Sequence, residues 1–414
     1  MKRVLVLSWK LPYPFISGGH HAIYNGIACL KDIAEVFLIY PTRESIAKKK
    51  EYRELEQRLP FVKCIPYIIP ESRHDLRWFL KCCRNILKDS FRKDDDHELK
   101  VVKSSPAKTV FRLGLPYLTD HFSNFVVSVI KRKSIDIVQA EMIENIRIID
   151  SLPADVKKIF VHHELRWVRN ELLLKQLEVS PEMIKEVEVA KKEEIDYLNR
   201  YDQIIVLSET DHDKLVSAGV TTRVFTSFAV VDGHFESPSS TGAARLLTFI
   251  GPSRHFPNFE GINWFLRNCW TTLLTIYPDW RLRIFGEWDD NKKGAILDQF
   301  QNIEFMGFVD DLSEMMRDSI FIVPLNIGSG IRMKILEAAR LGVPVISTTI
   351  GAEGLPVRDG ESILIADTPA GFVNAIVRLQ DPVLRDKLVV ELQRVVKSRY
   401  SIVALRENRK AIYQ

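Results

Sequence analysis

The sequence has 414 residues, of which 46% are hydrophobic, and a formal charge of +4 at pH 7. This length is about twice that of one α/β domain, and the apolar content is sufficient for two buried cores, so a single small domain is excluded. The modest charge is spread along the chain, so the composition does not indicate nucleic-acid binding.

The cysteines form neither a disulfide framework nor a metal-binding spacing, which indicates a reducing compartment. They are Cys29, Cys64, Cys82, Cys83 and Cys269. The apolar run at residues 4–7 reads as a strand rather than a signal peptide, and no segment approaches the roughly twenty apolar residues of a membrane span. We therefore expect a cytoplasmic protein.

The N-terminal region is predicted to alternate strands and helices. Lys2–Ser8 is predicted to form the first parallel strand, and a Pro-rich loop leads through Gly18-Gly19 to a helix from about His20 to Lys31. A glycine pair at a helix start can bind an anion, although a tight turn without a ligand is equally compatible with these residues. Further strands are predicted at residues 34–40 and 62–66.

The segment 71–103 differs in character from its surroundings. Arg and Lys alternate there with large apolar residues, including Trp78 and Phe79. Such a basic amphipathic stretch can lie on an anionic membrane. The alternative is a partly buried helix with solvated charges and a mobile loop at Asp94-Asp-Asp96.

Two predicted strands of the N-terminal half end in polar residues. After a predicted helix at Phe111–Lys131, strands are expected at 135–139 and 156–161, and the second ends at His162-His163-Glu164. Ligands of open α/β sheets bind at the carboxyl ends of strands, so these three residues are site candidates. Alternatively, His163 and Glu164 cap a helix that starts near Leu165.

The second half is predicted to form another parallel sheet. A charged helix at about 181–200 and a strand at 202–208 precede a turn-rich linker at 229–243. Strands and helices then alternate, which is typical of a parallel sheet with helical crossovers. The strands are expected near 245–251, 281–285, 303–306 and 319–325, and the helices near 258–276 and 310–317.

A glycine loop follows the predicted strand at 319–325. Gly328-Ser329-Gly330 leads into a helix that is expected to begin at about Ile331, so backbone N–H groups and the positive end of the helix dipole favour an anion. Arg332 and Lys334 add two charges, and Glu337 is placed to accept hydrogen bonds from sugar hydroxyls. These residues indicate a pocket for a sugar attached to a diphosphate. An ordinary βαβ unit with a solvated helix face is the alternative.

These residues resemble the donor-binding core of GT-B-fold glycosyltransferases of the family 4 type. The subgroup loop reads G-G-G-T-R-L-K-x-L-E-A, and the chain reads GSGIRMKILEA from Gly328 to Ala338. The segments GVPVIS at 342–347 and GAEGL at 351–355 match the family patterns G-x-P-V-V-S and G-x-E-G-L. The resemblance is close over roughly residues 245–380 and loose over the N-terminal half.

The resemblance implies the fold class: α/β, with two Rossmann-like doubly wound parallel-sheet domains facing across a cleft. Residues 1–230 would form the acceptor-side domain and 231–400 the nucleotide-sugar donor domain. Residues 401–414 would form a helix that packs back on the first domain.

The resemblance also implies site residues. The donor diphosphate would be bound by Gly18, Gly19, Arg254, Gly328, Ser329, Gly330, Arg332 and Lys334. Glu337 would bind the ribose, and His162, His163 and Glu164 are catalytic candidates that the sequence does not separate. No cofactor and no metal are expected, since Arg332, Lys334 and the glycine loops can stabilise the leaving diphosphate.

Two positions depart from the family pattern. A sugar-contacting glutamate stands eight residues before the residue that matches Glu337 in the commonest pattern, and Ser329 occupies that place here. The usual lysine in the loop after the first strand of the second domain is replaced by Asn258, although Arg254 lies close by. We therefore expect Arg332 and Lys334 to carry the charge that faces the diphosphate.

The implied function is transfer of a sugar, with retention of configuration, from a nucleotide-diphosphate sugar to a glycan or lipid-linked acceptor, as in surface polysaccharide biosynthesis. Two alternatives are a sugar-nucleotide epimerase on the same fold and a non-catalytic nucleotide- or glycan-binding subunit. Ser329 favours the subunit, whereas intact Arg332, Lys334 and Glu337 argue against it. The expected location is the cytoplasm, including the inner face of the cell membrane.

Overall fold

The structure is a computed structural model. It describes residues 1–15, 18–42, 50–69, 111, 113–231, 233–238, 244–309 and 311–413. The basic stretch predicted at 71–103, with its Asp94-Asp-Asp96 loop, lies outside the described residues, as does part of the linker predicted at 229–243. Within the described residues, no helix combines the length and apolar character that a membrane crossing requires.

The chain divides into two compact units. The first contains the described residues up to Val230 together with Tyr400 and the residues that follow it, and the second extends from Val231 to Arg399. Each unit is built around its own parallel sheet. The prediction of two α/β domains with parallel sheets is therefore confirmed.

The sheet of the first unit has seven parallel strands in the order β3-β2-β1-β4-β5-β6-β7. They are β1 (Lys2–Leu7), β2 (Ala34–Thr42), β3 (Val62–Ile68), β4 (Ile137–Glu141), β5 (Lys157–His162), β6 (Gln203–Val206) and β7 (Arg223–Thr226). Residues 4–7 of β1 are fully buried on both faces of the sheet. This burial explains why the central strand reads as a continuous apolar run rather than as an alternating one.

Helices cover both faces of this sheet. They are α1 (Gly18–Ala28), α2 (Lys50–Arg58), α3 (Asp120–Lys133), α4 (Arg166–Gln176), α5 (Pro181–Leu198) and α6 (Glu209–Ser217), with a 3₁₀ segment at Ile143–Ser151. Two separate apolar clusters lie on the two faces. Phe122 and Phe160 belong to one, and Ile23 and Ile27 of α1 belong to the other.

The predicted helix at Phe111–Lys131 was wrong at its N-terminal end. Helix α3 begins at Asp120, and Thr119 is its N-cap, with the hydroxyl accepting a hydrogen bond from the Phe122 N–H. Gly114 has a positive φ of 74°. Pro116 follows it and carries no N–H, so the stretch before Thr119 does not continue the helix.

The sheet of the second unit has six parallel strands in the order β10-β9-β8-β11-β12-β13. They are β8 (Leu246–Ile250), β9 (Arg281–Phe285), β10 (Ile303–Gly307), β11 (Ser319–Val323), β12 (Val345–Ser347) and β13 (Leu364–Ile365). The helices are α7 (Phe256–Phe265), α8 (Thr271–Ile276), α9 (Asp290–Leu297), α10 (Ser313–Met316), α11 (Met333–Arg340), α12 (Pro369–Arg378) and α13 (Pro382–Arg399). A π-helical segment, Leu266–Trp270, joins α7 to α8.

The last helix, α14 (Ile402–Tyr413), belongs to the first unit. Its Leu405, Ile412 and Tyr413 side chains join the same apolar cluster as α1. Arg409 is 2% exposed, and its Nε donates to the Ser227 hydroxyl at 2.9 Å. The C-terminal helix is therefore part of the first unit's core.

Candidate active site

The glycine loop lies after β11 and before α11 in the second unit. Gly328 and Gly330 have positive φ values of 137° and 79°, which side-chain-bearing residues rarely adopt. Helix α11 begins at Met333 rather than at the predicted Ile331, and Arg332 is its N-cap with a non-helical ψ of 82°. The loop is therefore two residues longer than the sequence pattern predicts.

The Arg332 side chain contacts the glycine loop. It is 9% exposed, and its Nη1 donates to the carbonyl oxygens of Ser329 at 2.6 Å and Gly330 at 2.7 Å. A Cβ placed on Gly328 would lie 2.5 Å from Arg332 Nη2. The guanidinium thus folds back under the glycine loop and holds its shape, a role that the sequence did not indicate.

Lys334 lies in the first turn of α11. Its Nζ donates to Asn258 Oδ1 at 2.9 Å and sits 4.5 Å from the centroid of the Phe249 ring. Burial lowers the pKa of Lys334 to about 7, and the nearby positive charge of Arg332 adds to this effect. Lys334 can therefore gain or lose a proton near neutral pH.

The N-terminal half of α7 supports the glycine loop. Glu260 forms hydrogen bonds with the side chain and backbone of Asn326, and burial raises the pKa of the Glu260 carboxyl, an effect that these bonds oppose. A Cβ on Gly261 would lie only 2.6 Å from the Pro324 carbonyl oxygen, so α7 and the end of β11 are in close contact. Glu260 thus contacts a residue that precedes the loop, and Asn258 contacts the first turn of the helix that follows it.

Glu337 forms an ion pair with Arg340 within α11. Arg340 donates from Nε at 3.0 Å and from Nη2 at 2.6 Å, and both bonds end on Glu337 Oε1. Hydrogen bonding to Glu337 raises the pKa of Arg340. The carboxylate is therefore held in one orientation, and its Oε2 receives neither of these two bonds.

Arg254, which was predicted to bind the diphosphate, forms an ion pair with Glu287. The Arg254 Nη1 lies 3.1 Å from Glu287 Oε2, and the two side chains are 35% and 69% exposed. Binding of a diphosphate by Arg254 therefore stays a prediction.

The three acceptor-side candidates occupy different surroundings in the first unit. His162 Nε2 lies 2.7 Å from Glu194 of α5, and both side chains are buried. His163 Nε2 lies 2.6 Å from Glu141 Oε2, at the end of the neighbouring strand β4. Glu164 is 4.0 Å from Arg169. The N-cap of α4 is Leu165, which makes no side-chain capping bond, and His163 contacts Glu141 instead of capping this helix.

A buried chain of hydrogen bonds extends from Glu141 to the C-terminal helix. Gln139 Nε2 donates to Glu141 Oε1, and the Tyr413 hydroxyl donates to Gln139 Oε1. Arg409 Nη1 donates to the Tyr413 oxygen at 3.4 Å. Burial raises the pKa of Tyr413, which keeps its phenol protonated and able to donate. This directional chain orients the Glu141 carboxylate that binds His163.

Gly18 and Gly19 are the first two residues of α1 in the first unit. Their position at a helix start is the one that the sequence predicts for an anion site, and their role stays a prediction.

Sequence reasoning did not identify Glu141, Gln139 or Glu194 as site residues. The position of Glu141 at a strand end could have marked it as a site residue, whereas nothing in the local sequence marks Glu194 as the partner of His162.

Residues 244–381 match the family described as Glycosyl transferases group 1. This range contains the entire glycine loop together with Asn258, Lys334 and Glu337. The match lies within the second unit and covers most of its length. The predicted resemblance to GT-B glycosyltransferases is confirmed.

Two curated relatives match the chain in part. One is an uncharacterized 44.6 kDa protein in the cps region of Klebsiella pneumoniae, 28% identical over 31% of this chain and 35% of its own length. The other is a D-inositol 3-phosphate glycosyltransferase of Acidothermus cellulolyticus, 37% identical over 19% of this chain and 18% of its own length. The alignments thus span about a third or less of these relatives.

A likeness in fold to solved structures reaches beyond the range of the family match. The structure of a mutant of S. aureus TarM, in complex with fondaparinux, alpha-GlcNAc-glycerol and UDP, matches with a TM-score of 0.68 and 12% identity, covering 100% of both chains. At this identity the likeness shows the fold alone. The chain therefore has the GT-B fold, and the match to group 1 glycosyl transferases lies in its second unit.

Proposed function

We propose that the protein is a retaining glycosyltransferase of the family 4 type, which moves a sugar from a nucleotide-diphosphate sugar to a glycan or lipid-linked acceptor. The observation that carries this proposal is the Arg332-supported glycine loop at the start of α11, with Lys334 in the first turn. A loop and helix start of this kind favour the doubly charged diphosphate. Its location inside the group 1 glycosyl transferase domain supports the same conclusion.

The proposed donor site assigns one role to each group. Backbone N–H groups of the loop and the Lys334 ammonium face the diphosphate and stabilise the charge that develops as it leaves. Glu337 Oε2, the oxygen that Arg340 does not engage, accepts hydrogen bonds from the ribose hydroxyls. Gly18, Gly19 and Arg254 remain further proposed contacts, and no metal or cofactor is assigned to the reaction.

On the acceptor side, we favour His163 among the three candidates. Its Nε2 is engaged by Glu141, and its buried Nδ1, like that of His162, has no hydrogen-bond partner within the described residues. The His163 side chain is 9% exposed, whereas that of His162 is 1% exposed. With Nε2–H donated to the carboxylate, Nδ1 is the ring atom that can accept a proton or a hydroxyl hydrogen. His162 faces Phe160 and Glu194 in the interior of the first unit, so it is the weaker candidate.

We further propose that the acceptor belongs to surface polysaccharide biosynthesis and that the enzyme works in the cytoplasm at the inner face of the membrane. The first part carries over the prediction made from the sequence. The second part is based on the basic amphipathic stretch 71–103 in the sequence. Flotation with liposomes that contain or lack anionic lipid tests it, and binding that is independent of anionic lipid would remove the membrane proposal.

One observation favours a second candidate, a nucleotide-binding subunit without transferase activity. Ser329 stands where the commonest family pattern has a sugar-contacting glutamate, so the transferred sugar has one carboxylate contact fewer. This subunit would bind a nucleotide sugar but would not transfer its sugar to any acceptor.

The first test is thermal stabilisation of the purified protein by UDP-, GDP-, ADP- and CDP-sugars, with and without EDTA. A nucleotide sugar at about a hundred times its Kd should stabilise the protein by roughly 2.7 kcal/mol. Glu337→Gln should weaken this stabilisation, because the amide keeps one acceptor oxygen but loses the charge. Failure of every nucleotide sugar to shift the unfolding transition would refute the donor site, and a loss of the shift in EDTA would refute metal independence.

A further inference from the structure

Lys334 is a partly buried ammonium group, and its hydrogen bond goes to a neutral partner. Its Nζ donates to the amide oxygen of Asn258, 76 residues away in the sequence, and lies over the Phe249 ring. Among the described residues, the charge that acts on Lys334 is the like charge of Arg332, two residues before it. Because neither Asn258 nor Phe249 carries a negative charge, the positive charge of Lys334 is oriented but not neutralised.

The orientation of Asn258 is determined by its surroundings. Asn258 is 4% exposed, and its Nδ2 donates to the Pro252 carbonyl at 3.2 Å, so Oδ1 is the atom that faces Lys334. Gly251 leaves the space that this amide occupies, since a Cβ there would lie 2.4 Å from Asn258 Nδ2. The amide therefore presents an acceptor to Lys334 in a fixed direction.

We propose that Asn258 is a positioning residue for the donor: its amide oxygen holds Lys334 beside the glycine loop as an uncompensated cation, and the donor diphosphate supplies the missing anion. This inference rests on the proposed function, because it assigns the charge of Lys334 to the diphosphate. A carboxylate at position 258 would hold Lys334 equally well but would neutralise it before the donor arrives. The neutral amide therefore positions the Lys334 ammonium without competing with the diphosphate for its charge.

The proposal predicts a proton coupling. The pKa of Lys334 is about 7 without ligand, and a bound diphosphate raises it, since an opposite charge favours the ammonium form. Below about pH 7 the ammonium is already present, whereas at higher pH the donor must bind together with a proton. Affinity for UDP-glucose, whose diphosphate does not titrate in this range, should therefore fall up to tenfold per pH unit above about pH 7.

The first experiment requires no donor. The rate of Lys334 acetylation by acetic anhydride is followed by mass spectrometry as a function of pH in the full-length protein. Asn258→Asp should move the midpoint up by about 1–3 pH units, because it places a carboxylate next to the ammonium. Asn258→Ala should move it down, since the ammonium loses its acceptor. Asn263→Asp is the matched control, because Asn263 is on the same helix and bonds to the Phe259 carbonyl instead; its midpoint should stay at the wild-type value.

The second experiment measures binding of UDP-glucose, or of the nucleotide sugar that stabilises the protein most, across the same pH range. Asn258→Asp should bind more weakly than wild type near neutral pH, and the pH at which affinity begins to fall should be higher. Asn258→Ala, which adds no charge, should lower affinity without raising this pH. A purely structural role for Asn258 would change affinity by the same factor at every pH.

The two experiments separate the possible failures. An unchanged acetylation midpoint in both Asn258 variants overturns the proposed contact. A shifted midpoint with an unshifted affinity profile overturns the positioning role, although the contact exists. If no nucleotide sugar binds to the wild-type protein, the proposed function fails and the positioning role fails with it, while the acetylation result still reports the Asn258–Lys334 pair.

Discussion

At the scale of single residues, the two cations of the loop motif have different surroundings although they are only two positions apart. Arg332 donates to the Ser329 and Gly330 carbonyls, and Lys334 donates to Asn258. A planar guanidinium can bind two carbonyl oxygens at once, whereas a lysine ammonium acts as a compact charge on a flexible stem. The sequence predicted both residues as diphosphate ligands. The contacts of Arg332 show that it shapes the loop, and diphosphate binding by Lys334 is our proposal.

Replacement of Arg332 by lysine tests this division of roles. We expect Arg332→Lys to lower the free energy of unfolding by about 1.5–3 kcal/mol, nearly as much as Arg332→Ala, because neither side chain can hold both carbonyls. Urea unfolding of the two variants measures the difference. If Arg332→Lys kept near wild-type stability, the loop would require the positive charge of the side chain and not the planar guanidinium that binds two carbonyls.

At the scale of elements, the sequence predicted the alternation of strands and helices but not the lengths of all helices. The strands predicted near 281–285 and 303–306 are confirmed as β9 and β10. The start of α11 was wrong by two residues, because hydrophobic spacing does not reveal that the Arg332 side chain folds back onto the loop. The short strand β7 and helix α9 were not predicted, since each has a short and weakly patterned sequence.

Contact between α7 and the end of β11 gives a prediction at this scale. Gly261→Ala should destabilise the protein by about 1–3 kcal/mol, because its Cβ would lie 2.6 Å from the Pro324 carbonyl oxygen. Gly294→Ala in α9 is the matched control, since apart from its chain neighbours and its own helix backbone no heavy atom lies within 4 Å of the added Cβ. It should stabilise the protein by about 0.5–1 kcal/mol. Thermal unfolding compares the two variants, and equal effects would contradict the close packing of α7.

At the scale of the whole molecule, each unit has its own sheet and its own buried apolar residues, yet the chain does not divide at a single point. The last helix, α14, returns to the first unit and buries Arg409 against Ser227 and Tyr413. Glu141 contributes to the electrostatic environment of Arg409, and the same carboxylate binds His163. The C-terminal helix is thereby linked to the acceptor-side candidate through side chains buried within one unit.

This linkage predicts a localised effect of Arg409→Met. Removal of the buried guanidinium that bonds to Ser227 and Tyr413 should lower the free energy of unfolding by about 3–5 kcal/mol. Hydrogen exchange should increase in α1 and β4 but not in β8 or β9. Arg406→Met is the control. Arg406 is partly exposed and pairs with Asp32 at 3.6 Å, so its loss should have little effect. Hydrogen exchange measured by mass spectrometry distinguishes the two variants, and increased exchange in β8 after Arg409→Met would contradict this assignment.

The sequence by itself determined the α/β class, the order of most elements and the glycine loop that carries Arg332, Lys334 and Glu337, because apolar periodicity, turn residues and short motifs are local properties. Only the tertiary structure decided which polar groups meet. Asn258 reaches Lys334 across 76 positions, and Tyr413 reaches Gln139 across 274. These contacts depend on the order of strands in a parallel sheet and on the return of the last helix, and neither is encoded in the spacing of neighbouring residues.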